Sequence, residues 1–169
     1  MALHALVEFI KYRWKAKGRH GVHSPFVYNF IESVLLDKGP IARQYIIDYR
    51  GLALAYENLL SRIAQRYQYK AIFNLAEEQQ TKYMGPLDML ILSEKTPREW
   101  VDQLSGFHTH LAQDSAVAIA GIHKSPEHTL AWTKICADER ARMSIDVYGV
   151  GLLFFRPEFK EKQHFILKY

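Results

Sequence analysis

The chain has 169 residues, 49% of them hydrophobic and 24% charged, with a formal net charge of +4. Those values suit one globular domain with a substantial core. They argue against a disordered chain, a disulfide scaffold and a membrane-spanning protein. The lone cysteine, Cys136, excludes an internal disulfide and fits a reducing, cytoplasmic setting. No activating basic pair stands beside it, so it reads as buried on a helix and not as a reactive thiol. Residues 1–23 carry Lys11, Arg13, Lys15, Lys17 and Arg19 against Glu8 alone, while the remainder of the chain is balanced. The positive charge therefore describes one arm, not the whole protein.

Leu3, Leu6, Val7, Ile10 and Trp14 recur at helical spacing, so the chain opens with an amphipathic helix. This apolar opening is interrupted by His4 and Glu8 and has no basic leader, so a signal peptide is not expected. Ser24 and Pro25 predict an N-cap and first turn for a second helix, with Phe26, Val27, Phe30, Ile31, Val34 and Leu35 on its apolar face. A third helical region covers 43–66, broken near Gly51, with Leu52, Tyr56, Leu59, Leu60 and Ile63 inward. The period then changes. Strands are expected at 71–75, 89–92 and 116–122, and a short helix at 77–83. The first two strands are separated by about a dozen residues, close to the minimum for a parallel crossover.

The phrase "TPRE" (Thr96 to Glu99) predicts a capping box opening a helix to about Leu111. "SPEH" (Ser125 to His128) predicts another helix, running to about Arg140. "MSIDVYG", "VGLLFFR" and "HFILKY" close the chain as β structure, with Gly149 and Gly151 suited to a tight turn. Alternating strands and helices predict a mostly parallel α/β sheet, finished by an antiparallel edge. One domain is expected over 1–169, with a helical extension at 1–66 and an α/β core at 67–169.

Three stretches carry a family resemblance: "KAKGRHGVHSPFVYNFIESVLLDK", "IHKSPEHTLAW" and "SIDVYGVGLLFFRPEFKEKQHFILKY". They resemble segments of class I S-adenosylmethionine-dependent methyltransferases of a Bacteroidetes-type bacterial group. The likeness covers both ends of the chain well and the middle poorly. In that group the first strand runs into a sequence like E-L-G-T-S-L-G, whose glycines let backbone approach the cofactor. Here the first strand, ending Phe73, Asn74, Leu75, is followed by Ala76, Glu77, Glu78, Gln79 and Gln80. The family's acidic ribose ligand and its second and third strands have no room.

"LDMLILSEKT" resembles the fourth strand, with Ser93 and Glu94 where the family keeps a phrase like F-I-D-G-N-H. After the fifth strand the family carries D-D-I-H, and this chain carries Ala120, Gly121, Ile122, His123. The resemblance thus implies a reduced Rossmann-like methyltransferase fold with sheet order 1-4-5-7-6. Leu75, Ala76, Ser93 and Glu94 would be vestigial cofactor positions, and His123 the remaining candidate for chemistry. Loss of two strands would also leave 71–75 as a sheet edge, to be covered by the first helices or by a second copy.

Glu77 and Glu78 read as first-turn carboxylates, not replacement ligands, and Glu94 as a loop residue. The eight histidines lack the spacing of a zinc motif, so no metal site is expected. The arm "KYRWKAKGRHGVH" mixes cations with Tyr12 and Trp14, a pattern able to track phosphates and stack on bases. The plainer expectation is a surface helix with Trp14 packed inward.

Three functions follow. The first is a non-catalytic methyltransferase-like domain without cofactor, acting on a protein partner or as a homodimer. The second is a methyltransferase using S-adenosylmethionine in a reduced or shared site around His123, Ser93 and Glu94. The third is a nucleic-acid-binding module using Lys15, Lys17 and Arg19. A membrane partner is not expected.

Overall fold

Apolar runs buried on both sides set the middle of a sheet, because successive side chains point to opposite faces. The computed structural model describes residues 2–48, 52–75, 85–92 and 95–169. Six strands form one sheet: β1 (Ile72–Asn74), β2 (Leu87–Leu92), β3 (Leu111–Ala120), β4 (Met143–Asp146), β5 (Val150–Phe154) and β6 (Gln163–Ile166). Their order is β1-β2-β3-β5-β4-β6. The pairs β1–β2, β2–β3 and β4–β6 are parallel, and β5 lies antiparallel between β3 and β4.

The expected mostly parallel α/β sheet is therefore present, but its strand order differs from 1-4-5-7-6. The closing segment adds a sixth strand outside β4 and so pairs backbone groups that a four-residue edge strand would leave open. The antiparallel strand is internal, not at the edge as expected. Gly151 sits within β5 and not in the turn, which is made by Val147, Tyr148 and Gly149.

Helices cover both faces. On one, α2 (Pro25–Phe30), the wider helical turn Ile31–Leu35 and α3 (Leu54–Tyr67) bury Val27, Phe30, Leu59, Leu60 and Ile63. These meet Met89, Ile91, Ala118, Leu152 and Phe154 of the sheet. On the other, α4 (Trp100–Phe107) and α5 (Pro126–Cys136) bring Trp100, Leu104, Trp132 and Ile135 against Leu90, Leu92, Val117, Ile119 and Leu153. Ser24 caps α2 as expected, its Oγ accepting from the Val27 N–H at 3.4 Å.

The other two predicted caps fail for a local reason: each side chain is engaged elsewhere. Thr96 Oγ1 takes the Gln103 side chain at 3.4 Å, and α4 is entered through a 3-10 turn, Pro97–Glu99. Ser125 Oγ lies 2.7 Å from His128 Nδ1. Helix α5 stops at Cys136, not Arg140, because Asp138 turns the chain and binds the Arg140 guanidinium. Helix α4 likewise stops at Phe107, short of Leu111. The helical region expected at 43–66 is reduced to a 3-10 turn, Arg43–Tyr45, and α3 from Leu54, while Gly51 itself and the helix at 77–83 lie outside the described residues.

Helix α1 (Ala2–Lys15) differs most from expectation. Its inward side is held by aromatic packing and hydrogen bonds: the Tyr12 and Tyr148 rings lie 5.5 Å apart, Tyr12 donates to the Leu167 carbonyl at 2.6 Å, and Tyr148 donates to the Ala5 carbonyl at 2.8 Å. Main-chain bonds join Lys17 to Ile166 and Lys168. That attachment turns the apolar stripe outward, and Trp14 is 88% exposed. The inward packing expected for Trp14 is overturned. Because α1 lies beside β6, it is at the opposite side of the sheet from β1. Among the described residues β1 pairs with β2 alone, so α1 does not cover that edge.

Candidate functional site at the carboxyl ends of β3 and β4

Open α/β sheets hold ligands beyond the carboxyl ends of their strands, where side chains of neighbouring strands converge. Beyond Ala120, Gly121 adopts φ 71°, a conformation natural to glycine, and its N–H donates to the Gly149 carbonyl at 2.7 Å. The turn buries Ile122 and aims His123 toward β4. Along β4 the apolar Met143 and Ile145 face the α2–α3 layer. The alternate residues, Ser144 and Asp146, are buried and polar.

Asp146 Oδ2 lies 2.7 Å from His123 Nε2, and Asp146 Oδ1 accepts from the Tyr148 N–H at 2.7 Å. Tyr148 holds φ 69°, a strained value for a bulky residue, and its ring stacks on His123 at 5.7 Å. His123 Nδ1 stands 3.4 Å from Thr129 Oγ1, which lies 3.0 Å from His4 Nε2 on α1. A carboxylate on Nε2 assigns the proton of a neutral ring to that nitrogen and leaves Nδ1 as an acceptor. The arrangement can therefore orient an imidazole and offer Nδ1 to a hydroxyl proton.

His123, Thr129 and Asp146 border a cleft of about 280 Å³ between α1 and α5, lined also by Glu8, Lys11, Tyr12, Trp132, Cys136 and His164. His123 also borders a second hollow of about 190 Å³ with Tyr56, Gly121 and Lys124. Burial lowers the His164 pKa, and Ser144 Oγ lies 2.8 Å from its Nδ1. Burial pushes the Cys136 thiol up to about 12, so Cys136 is no nucleophile near neutrality.

Stability should accordingly fall on both sides of neutrality. Below about pH 6.5 the unfolded chain takes up the proton that buried His164 resists. Above pH 9 the unfolded thiol ionises while the folded one does not. Urea midpoints at pH 5.5, 7.5 and 9.5 should be highest at the middle value. Cys136→Ser should make the alkaline limb shallower; an unchanged limb would refute the assignment. The remainder of that limb comes from buried tyrosines such as Tyr12 and Tyr67, whose ionisation burial also resists.

Of the residues singled out in the sequence, His123 is in the cleft. Leu75 is half-buried after β1, its N–H bonded to the Ile91 carbonyl at 3.0 Å. Ala76, Glu77, Glu78, Ser93 and Glu94 lie outside the described residues. No group of three or more histidine, cysteine or acidic side chains is placed to hold a metal among the described residues. Asp146, Thr129 and His164 were missed. The signal for Asp146 was available: an aspartate in the middle of "SIDV", within an apolar strand pattern, needs a buried partner. No family model matches this chain, and no match was found among curated proteins or solved structures.

Proposed function

We propose that this chain is a reduced Rossmann-like, methyltransferase-type domain of the cytoplasm that acts by binding, not by methyl transfer. The observation that carries the reading is the place of β1. The strand whose carboxyl end would bear a cofactor's glycine turn is three residues long and, among the described residues, forms the edge of the sheet. No glycine occurs between Phe73 and Met84 to let backbone approach a ligand there. A donor seated over this strand would lack the neighbouring strand that supplies ribose contacts in the family. The binding surface is the outward side of α1, where five apolar side chains stand exposed.

Calorimetric titration with S-adenosylmethionine and S-adenosylhomocysteine tests the proposal. Neither heat nor a thermal shift is expected at millimolar ligand, whereas micromolar binding would overturn it. One observation favours a second reading, a methyltransferase with a reduced site: His123 is oriented by Asp146 at the border of two hollows. Under that reading, His123→Gln would abolish cofactor-dependent labelling of a substrate while leaving cofactor binding intact.

A further inference from the structure

We infer that the outward face of α1 lies on anionic lipid headgroups as an interfacial helix; this rests on the reading that the chain acts by binding. Leu3, Leu6, Val7, Ile10 and Trp14 are 74%, 55%, 40%, 50% and 88% exposed, and their spacing places them on one side of the helix. The opposite side is anchored by Tyr12 and by the Ala5 carbonyl. The stripe therefore points away from the body of the protein.

Charge selects the occupant. The one carboxylate of α1, Glu8, is turned inward with its side chain 13% exposed and pairs with Lys11 at 2.7 Å. Lys11 and Lys15 flank the stripe on one side and Arg13 on the other, with Lys17 just beyond. Among the described residues no carboxylate pairs with Arg13, Lys15 or Lys17. An apolar band with a cationic rim and no acid matches a hydrocarbon boundary under anionic headgroups.

A second copy fits less well. A two-fold interface would present the same cations and the same lack of carboxylates to itself. Fourteen residues of helix are about 21 Å long, too short to span a bilayer and suited to lying in its plane. No helix among the described residues is long and apolar enough to cross a membrane. Trp14 stands at the end of the stripe, and an indole there is suited to the headgroup level. The sequence argued against a membrane partner because no apolar stretch is long enough to span a bilayer; a helix lying in the interface needs no such length.

The test uses the full chain with vesicles of phosphatidylcholine, alone or mixed with phosphatidylglycerol. Trp100 and Trp132 are buried, so a blue shift of tryptophan emission on binding would report Trp14. Binding is expected to the anionic vesicles and to weaken with salt. Lys15→Gln should lower affinity roughly fivefold. Ile10→Ser combined with Leu6→Ser should lower it more than roughly tenfold, with only a small fall in the thermal midpoint because about half of each side chain is already exposed.

No binding to anionic vesicles, or binding indifferent to the serine pair, overturns the inference. A dimer that the serine pair dissociates, without vesicle binding, would assign the face to a second copy. Single-stranded oligonucleotide binding lost in Lys15→Gln, without vesicle binding, would assign it to nucleic acid. Failure with vesicles while S-adenosylmethionine stays silent sinks only the lipid assignment. Micromolar S-adenosylmethionine binding sinks the binding reading itself.

Discussion

Asp146→Ala is expected to lower the unfolding free energy by about 2–4 kcal/mol. The carboxylate is 4% exposed and holds two groups at once, His123 Nε2 and the Tyr148 N–H, each at 2.7 Å. Removing it orphans both in a site where water reaches poorly, and it releases the strained Tyr148 from its main local restraint. For a chain of this size the midpoint should fall by roughly 5–15 °C. His123→Ala should cost less, because Asp146 keeps the Tyr148 N–H. The double variant should cost less than the two single losses combined, since both remove one contact. Urea denaturation of the four proteins measures the coupling. A loss under about 1 kcal/mol for Asp146→Ala would mean that the pair contributes little to the fold.

Gly151→Val should be the second severe change, at about 3 kcal/mol or more. A Cβ at this position would stand 2.6 Å from Cζ3 and 2.7 Å from Cη2 of Trp132, closer than packed atoms allow. Neither side can yield easily. Gly151 is paired on one side with Ile119 of β3 and on the other with Asp146 of β4, and the Trp132 side chain is buried under α5. The strand glycine is thus a seat for an aromatic ring, not a turn residue. Trp132→Leu should destabilise by opening a cavity, yet it should recover part of the loss when combined with Gly151→Ala. Additive losses in that pair, measured by urea midpoint, would contradict the steric account.

The α/β class was legible because the apolar period changes from that of helices to that of strands near residue 71, and buried strands read as continuous apolar runs. The inward faces of α2 and α3 followed from the same periodicity, and Ser24 from its place before proline. The caps at Thr96 and Ser125 were not legible. A capping hydroxyl competes for partners, and Gln103 and His128 become competitors only after the helices have formed. His123 was found by its position after a strand. Asp146, which gives that histidine its orientation, comes from a strand 23 residues away in sequence, so no local motif contains the pair.

By itself the sequence determined which segments are apolar, where the positive charge concentrates, that residues 76–84 hold no glycine, and that β1 to β2 must be a short crossover. These are properties of neighbours along the chain. The tertiary structure decided which side of α1 faces the body, that the closing segment joins β4 as a sixth strand, and that His123, Asp146, Thr129 and His4 meet. The physical reason is the same in each case. An apolar stripe states that burial is favourable but not where, and in α1 the hydrogen bonds of Tyr12 and Tyr148 fix the opposite side against the protein, leaving the stripe to face outward.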